Sequence, residues 1–147
     1  LAGDPTIGFL STPEAVTVDL PDDLLTLLRG PSPCFISTLM PDGSPQMTEV
    51  WVDTDGEHVV INTVDGFLKV RNLQRDPRLA VSVLDPENLM RYFSVRGTVV
   101  EMVTEGAADH IEMLSQRYLG EPYPWYGGRD QTRIKLIIEA DRIGGMH

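Results

Sequence analysis

The chain has 147 residues, which suits a single domain large enough to bury a core. Its 12 Lys and Arg against 22 Asp and Glu leave a net charge of −10, which argues against a protein that tracks nucleic-acid phosphates. With one cysteine, Cys34, there is no internal disulfide, and no Cys/His cluster has metal-ligand spacing.

Residues 1–20 contain Pro and Thr without periodicity and read as an extended amino-terminal arm. The chain carries no Lys or Arg before Arg29 but does carry Asp4, Glu14, Asp19, Asp22 and Asp23, so half of the net charge lies there. Pro21-Asp22-Asp23 opens a short helix through Leu28, with acids where the helix dipole favours them. Gly30-Pro31 ends it. Residues 34–40 form a strand, and Cys34 in this apolar run reads as a small buried hydrophobe. After the turn Pro41 to Ser44, residues 46–53 alternate, with Gln46, Thr48, Val50 and Val52 on one face. Asp55-Gly56 is a hairpin signal leading into Val59 to Thr63, so three antiparallel strands are expected.

Asp65 to Arg75 reads as a helix with Phe67, Val70 and Leu73 on one side, stopped by Asp76-Pro77. Arg78–Leu84 is a β-branched strand, Asp85-Pro86-Glu87 a turn, and Met90–Val103 a long strand in which Gly97 marks a bulge or bend. A helix over about 106–119 places Ala107, Ile111, Leu114 and Tyr118 on one face. A loop rich in Gly, Pro and aromatic residues, Gly120 to Gly128, precedes a last strand, Ile134–Ala140. Six strands with short turns predict a mainly β (α+β) antiparallel barrel with helices outside, one domain over residues 21–147. No GxGxxG or Walker sequence is present, which excludes the familiar nucleotide folds. No run approaches the roughly 20 apolar residues of a membrane span, and the first residues lack a signal-peptide pattern, so a cytoplasmic location is expected.

The stretch from Ile61 to Arg78 carries the chemistry. A strand ending in Asn62-Thr63 meets a helix start beside Lys69 and Arg71, which suits a phosphate-sized anion. The plainer reading is that these cations solvate a helix face. Residues 66–96 hold Lys69, Arg71, Arg75, Arg78, Arg91 and Arg96 against Asp76, Asp85 and Glu87, a local reversal of the acidic balance. His58 adjoins a turn, His110 lies early in a helix and His147 is terminal; no acid or Cys stands near His110 or His147 at ligand spacing. The pattern assigns no histidine a catalytic or metal role.

Asp42-Gly43-Ser44-Pro45-Gln46, then Val50-Trp51, Asn62-Thr63 and Lys69-Val70-Arg71-Asn72-Leu73-x-Arg75-Asp76-Pro77 together resemble the pyridoxamine 5′-phosphate oxidase-like split-barrel superfamily. Within it they resemble the reductases that use the deazaflavin coenzyme F420, and Arg133 to Ile143 is similar to the closing strand of that branch. The resemblance spans roughly residues 24 to 143. It implies a six-stranded antiparallel split β-barrel with flanking helices, like flavin reductases, forming a homodimer with cofactor sites at the interface. It places Gln46, Thr48, Val50 and Trp51 along the cofactor ring, Asn62 and Thr63 near the linker, and Lys69 near the phosphate. Arg71 and Asn72 would support the phosphate, and the partner subunit would close the ring with the Tyr92 strand and the loop holding Trp125 and Tyr126. Phe67 departs from the pattern, standing where many relatives carry Arg two residues before the Lys.

The residues alone leave other roles open. Trp51 suits barrel packing as well as a ring contact, and Gln46 and Thr48 suit a solvent-facing strand. The implied activity is hydride transfer between F420 and a small conjugated or unsaturated substrate, with the coenzyme supplying the reactive carbon. Water, Tyr92 or Tyr126 would supply a proton, and Arg91, Arg129 or Arg133 would hold a polar substrate. The alternatives are an FMN-binding oxidase or reductase of the same fold, or a non-catalytic protein that binds deazaflavin, flavin or haem. No nucleic acid, membrane or metal partner is expected.

Overall fold

A computed structural model describes residues 17–147. Most of the expected amino-terminal arm, residues 1–16, lies outside the described residues. Its last part runs extended along the barrel, where the Val18 N–H donates to the Ala140 carbonyl at 3.0 Å and Leu20 is buried.

Helix α1 (Asp22–Leu28) forms where Pro21 and the first-turn acids predict it and buries Leu24, Leu27 and Leu28. Strands β1 (Cys34–Leu39), β2 (Pro45–Val50), β3 (Val52–Thr54) and β4 (Val59–Val64) follow. Helix α2 (Leu68–Arg75), strands β5 (Arg78–Asp85) and β6 (Asn88–Val103), helix α3 (Ala107–Leu119) and strand β7 (Arg133–Met146) complete the described chain. All neighbouring strands pair antiparallel, in the order β2-β1-β5-β6-β7-β4-β3.

The sheet therefore has seven strands, not the expected six. The difference lies at Trp51. Residues 46–53 keep one inward face through the break, with Val50 and Val52 both buried, but the backbone changes partner from β1 to β4. Because the two ends of the strand order, β2 and β3, are consecutive in the chain, the sheet curls until its edges meet at this one residue. The alternation in the sequence records the face of a strand and is blind to which neighbour it bonds.

Two other boundaries differ from expectation by more than two residues. Helix α2 starts at Leu68 rather than Asp65, since Gly66 adopts φ +90° and Phe67 is the extended N-cap. Strand β7 runs past Ala140 to Met146, paired with β6 as far as Tyr92, although Asp141, Arg142, Gly144 and Gly145 end the apolar run. The ladder's backbone bonds carry it where side chains do not. Gly97 marks the expected bulge: the β6–β7 register shifts between Arg96 and Gly97, and a Cβ there would strike the Glu139 backbone.

The barrel core joins Ile36, Val52, Ile61, Val83, Phe93, Val95, Leu136 and Ile138 to Leu24 and Leu28 of α1 and Val70 and Leu73 of α2. Each such side chain contributes about 1.5–3 kcal/mol by leaving water. Cys34 is fully buried here, and burial, with Glu49 nearby, pushes its thiol far above the ordinary range, so it packs as a hydrophobe. Helix α3 packs outside against β4 and β7 with Ala107, Ile111 and Leu114 inward. No helix among the described residues is long and apolar enough to cross a membrane.

Candidate functional site

A cavity of about 600 Å³ opens where the β2–β3 break, β4, the start of α2 and the loop before β7 converge. Val50 and Trp51 form one wall, with Glu49 beside them, and Asn62 and Thr63 project from β4. Phe67 and Lys69 come from α2 and the turn before it; Arg133 opens β7, and Tyr123, Tyr126 and Gln131 come from the loop.

The Trp51 indole lies flat on the Tyr118 ring, centroids 5.2 Å apart and planes 7° off parallel, and meets Tyr123 edge-on at 6.0 Å. Tyr118 is fixed in turn: its hydroxyl donates to the Ser32 carbonyl at 2.7 Å and accepts from the Val52 N–H at 3.2 Å. Trp51 thus packs against α3 and lines the cavity at once. The stack also locks the strand at the residue where it changes partner.

Two cations define the other side. Lys69 is only 8% exposed, and its Nζ stands 5.3 Å from the centroid of the Phe67 ring. Burial, and then the charge of Arg133, lower its pKa from the ordinary lysine value. Arg133 donates from Nε to Asn62 Oδ1 at 2.9 Å and from Nη1 to the Tyr123 hydroxyl at 3.2 Å, with its guanidinium over the Tyr123 ring. Among the described residues neither cation has a carboxylate within 4.0 Å. Two like charges, one buried and one partly buried, face one space and repel each other, and a bound anion would relieve both.

Asn62 is held on every side. Its Nδ2 donates to the Ala107 carbonyl at 2.9 Å and lies 3.0 Å from His110 Nδ1. His110 Nε2 in turn lies 2.9 Å from Asp53 Oδ2, and Arg117 Nη1 donates to Asp53 Oδ1 at 3.1 Å. This corrects the reading of His110 as lacking an acidic partner: Asp53 is 57 positions away and only the docking of α3 on the barrel brings it near. Burial works to raise the Asp53 carboxyl, but His110, the Thr54 N–H and Arg117 outweigh it and hold the pKa below the usual value. His58, too, is engaged, with Nδ1 2.9 Å from Asp55 Oδ2 in the hairpin turn.

The structure thus gathers Val50, Trp51, Asn62, Thr63 and Lys69 into one cavity and places the other expected site residues elsewhere. Gln46 accepts from Thr38 at 3.2 Å, and Thr48 carries a buried Oγ1 with no partner among the described residues. Arg71 donates to the Gly66 carbonyl at 2.8 Å, bracing the turn that starts α2. Asn72, fully buried, ties α2 to β1 by donating to Thr38 Oγ1 at 3.1 Å, while its Oδ1 accepts from Arg75. Tyr92 is partly exposed on β6 opposite Met146, away from these walls. Trp125 donates from its indole to Glu112 Oε2 at 2.9 Å, which clips the loop to α3, and leaves Tyr123 and Tyr126 to face the cavity. The sequence pattern names Tyr126 as a ring-closing residue of the partner subunit and a proton source, names Arg133 for a polar substrate, and does not single out Tyr123, whose one signal is the aromatic density of its loop.

A family model described as pyridoxamine 5′-phosphate oxidase matches residues 20–140. Among solved structures, one named F420 reductase is 29% identical, with 85% of this chain and 98% of that one covered and a TM-score of 0.74. A conserved hypothetical protein of Mycobacterium tuberculosis is 26% identical, with 90% and 88% covered and a TM-score of 0.65. HupZ of Group A Streptococcus, 19% identical over 84% of this chain and 91% of its own, has a TM-score of 0.58 and shares the fold.

Proposed function

The chain belongs to the pyridoxamine 5′-phosphate oxidase family, and from that membership we propose that it is an oxidoreductase that uses the deazaflavin coenzyme F420 on a small conjugated or unsaturated substrate. The observation that carries this reading is the convergence of Lys69 and Arg133 on one cavity with no carboxylate partner among the described residues. The likeness to a structure named F420 reductase supports the choice of coenzyme.

The residues present fit such a group. Lys69 and Arg133 offer charge to a phosphate, Thr63 beside them offers a hydroxyl, and Val50 with Trp51 offers an apolar wall to a flat ring. When bound, the reduced coenzyme supplies the hydride. The chain's own work is to orient and to exclude water. Trp51, held by Tyr118, fixes the wall, and the loop bearing Tyr123 and Tyr126 covers the opposite side. The Tyr126 hydroxyl is the proton donor proposed for the substrate, since its side chain lines the cavity and is 74% exposed, open to proton exchange with water. A homodimer is part of the proposal: Leu89, Met90, Tyr92 and Met146 expose apolar surface at one end of the β6–β7 pair, as an interface requires. Tyr92 would then reach a site in the second subunit.

Parallel binding titrations with F420, FMN, FAD and haem test the proposal. Tight binding of F420 without FMN, followed by turnover of reduced F420 with a panel of quinones and enones, is expected. Binding of FMN alone would replace F420 with a flavin, and binding of none would remove the coenzyme role.

A further inference from the structure

We propose that His110 is a positioning residue of the cavity, acting through Asn62 to hold the Arg133 guanidinium where an anion binds. The inference rests on the cavity being an anion site and not on which coenzyme carries the anion. Its basis is a chain of hydrogen bonds that admits one arrangement of protons. Arg133 Nε is always a donor, so the Asn62 atom facing it at 2.9 Å is the carbonyl oxygen. The Ala107 carbonyl only accepts, so the Asn62 atom facing it at 2.9 Å is the amide nitrogen. Both neighbours therefore fix the same orientation of the Asn62 amide.

The second N–H of that amide points to His110 Nδ1 at 3.0 Å, which must then be an unprotonated acceptor. Asp53 lies 2.9 Å from Nε2, which must then carry the proton. His110 is thereby held as one neutral tautomer, and its acceptor nitrogen completes the fixing of Asn62. The charged groups around it fit this role. Asp53 reaches it from β3, Arg117 on α3 shares that carboxylate, Arg133 stands beyond Asn62, and Lys135 of β7 lies against Gly106 at the start of α3. Without an acceptor at Nδ1 the Asn62 amide loses a support, and the guanidinium of Arg133 loses its fixed direction. The Tyr123 hydroxyl, its other partner, sits on the loop.

Asp53 offers a second handle on the same relay. In D53N the new amide has one oxygen and one nitrogen. Arg117 is a permanent donor and claims the oxygen, which turns the NH₂ toward His110 Nε2 and moves the ring proton to Nδ1. That proton would face the Asn62 NH₂, donor against donor.

The test is the affinity for inorganic sulfate, followed by amide chemical-shift titration at neutral pH in wild type, K69A, R133A, H110F, H110Q, D53N and the H110F/R133A double variant. H110F and D53N are expected to bind sulfate about tenfold more weakly, the scale of one hydrogen bond to a charged group. H110Q, which can offer an acceptor to Asn62 and a donor to Asp53, is expected to stay within about twofold of wild type. In the R133A background H110F is expected to add nothing, because its effect passes through Arg133. Equal loss from H110F with and without Arg133, or wild-type affinity in both H110F and D53N while R133A is weak, overturns the inference. Should K69A and R133A both bind sulfate as wild type does, the anion-site reading itself falls. If H110F does not fold, D53N against H110Q decides.

Discussion

Lys69 Nζ stands over the ring of Phe67, 5.3 Å from its centroid, and the two share one side of the cavity. An aromatic face thus rests beside a buried ammonium. The ring compensates part of the ammonium's lost hydration without adding charge. Replacing Phe67 by Arg is expected to tighten binding of F420 by about tenfold through bidentate contact with its phosphate. The same change is expected to lower the melting temperature of the ligand-free protein, since three cations would then crowd one space. Fluorescence titration and thermal unfolding read the two effects, and a variant that gained neither would show the rim to be indifferent to charge.

Burial, and then the charge of Arg133, both lower the pKa of Lys69 below the ordinary lysine value. Because its folded pKa lies below the unfolded value, the native state binds fewer protons between the two, and stability rises with pH across that window. K69M is expected to flatten this alkaline gain and to raise the melting temperature at neutral pH, while weakening F420 at least tenfold. Melting curves across the alkaline range check the first part. A variant less stable than wild type and equally tight would show that Lys69 serves packing alone.

Arg117 ties three elements together, donating to the Leu28 carbonyl at 3.1 Å, the Val52 carbonyl at 3.2 Å and Asp53. R117M is expected to cost about 3 kcal/mol, as for removing one partner of a largely buried pair. Asp53 has a depressed folded pKa, so its contribution is present above its ordinary value of 3.8 and is lost as pH falls through the lower native value. In R117M the acid unfolding transition therefore moves to higher pH. Urea unfolding followed at neutral and acidic pH measures both changes.

Glu112 accepts from the Tyr123 N–H at 2.8 Å and from the Trp125 indole, and these bonds hold its carboxyl below the usual value. One carboxylate on α3 thus latches the loop that covers the cavity. E112A is expected to speed limited proteolysis within residues 120–132 and to shift Trp125 fluorescence toward that of exposed indole, with little change in barrel stability. Unchanged cleavage would move the latch elsewhere.

Gly97 lies where β6 and β7 approach too closely for any side chain, against the Glu139 backbone. G97A must move one strand at its bulge and is expected to cost about 3 kcal/mol, visible as a lower urea midpoint with an unchanged slope.

Much of this fold is written locally. Pro21 and the acids after it start α1, the Asp55-Gly56 turn joins β3 to β4, and Gly97 announces its bulge, because capping, turn geometry and backbone freedom are decided within a few residues. The motif positions Val50, Trp51, Asn62, Thr63 and Lys69 meet in one cavity because the β4–α2 unit is contiguous and β2 runs into its neighbour. Asn72 misleads from sequence, as a polar residue one turn from Lys69 whose amide in fact bonds β1.

The sequence by itself determined an acidic chain with one basic segment, a β-rich domain and a strand-to-helix junction fit for an anion. Tertiary structure alone decided that the strand through Trp51 changes partner, that Arg133 joins Lys69 and that His110 meets Asp53. Periodicity reports which face of an element is buried; it carries no term for pairing between segments dozens of residues apart. Those pairings arise when the sheet curls and α3 docks, and there the separate polar residues become one network.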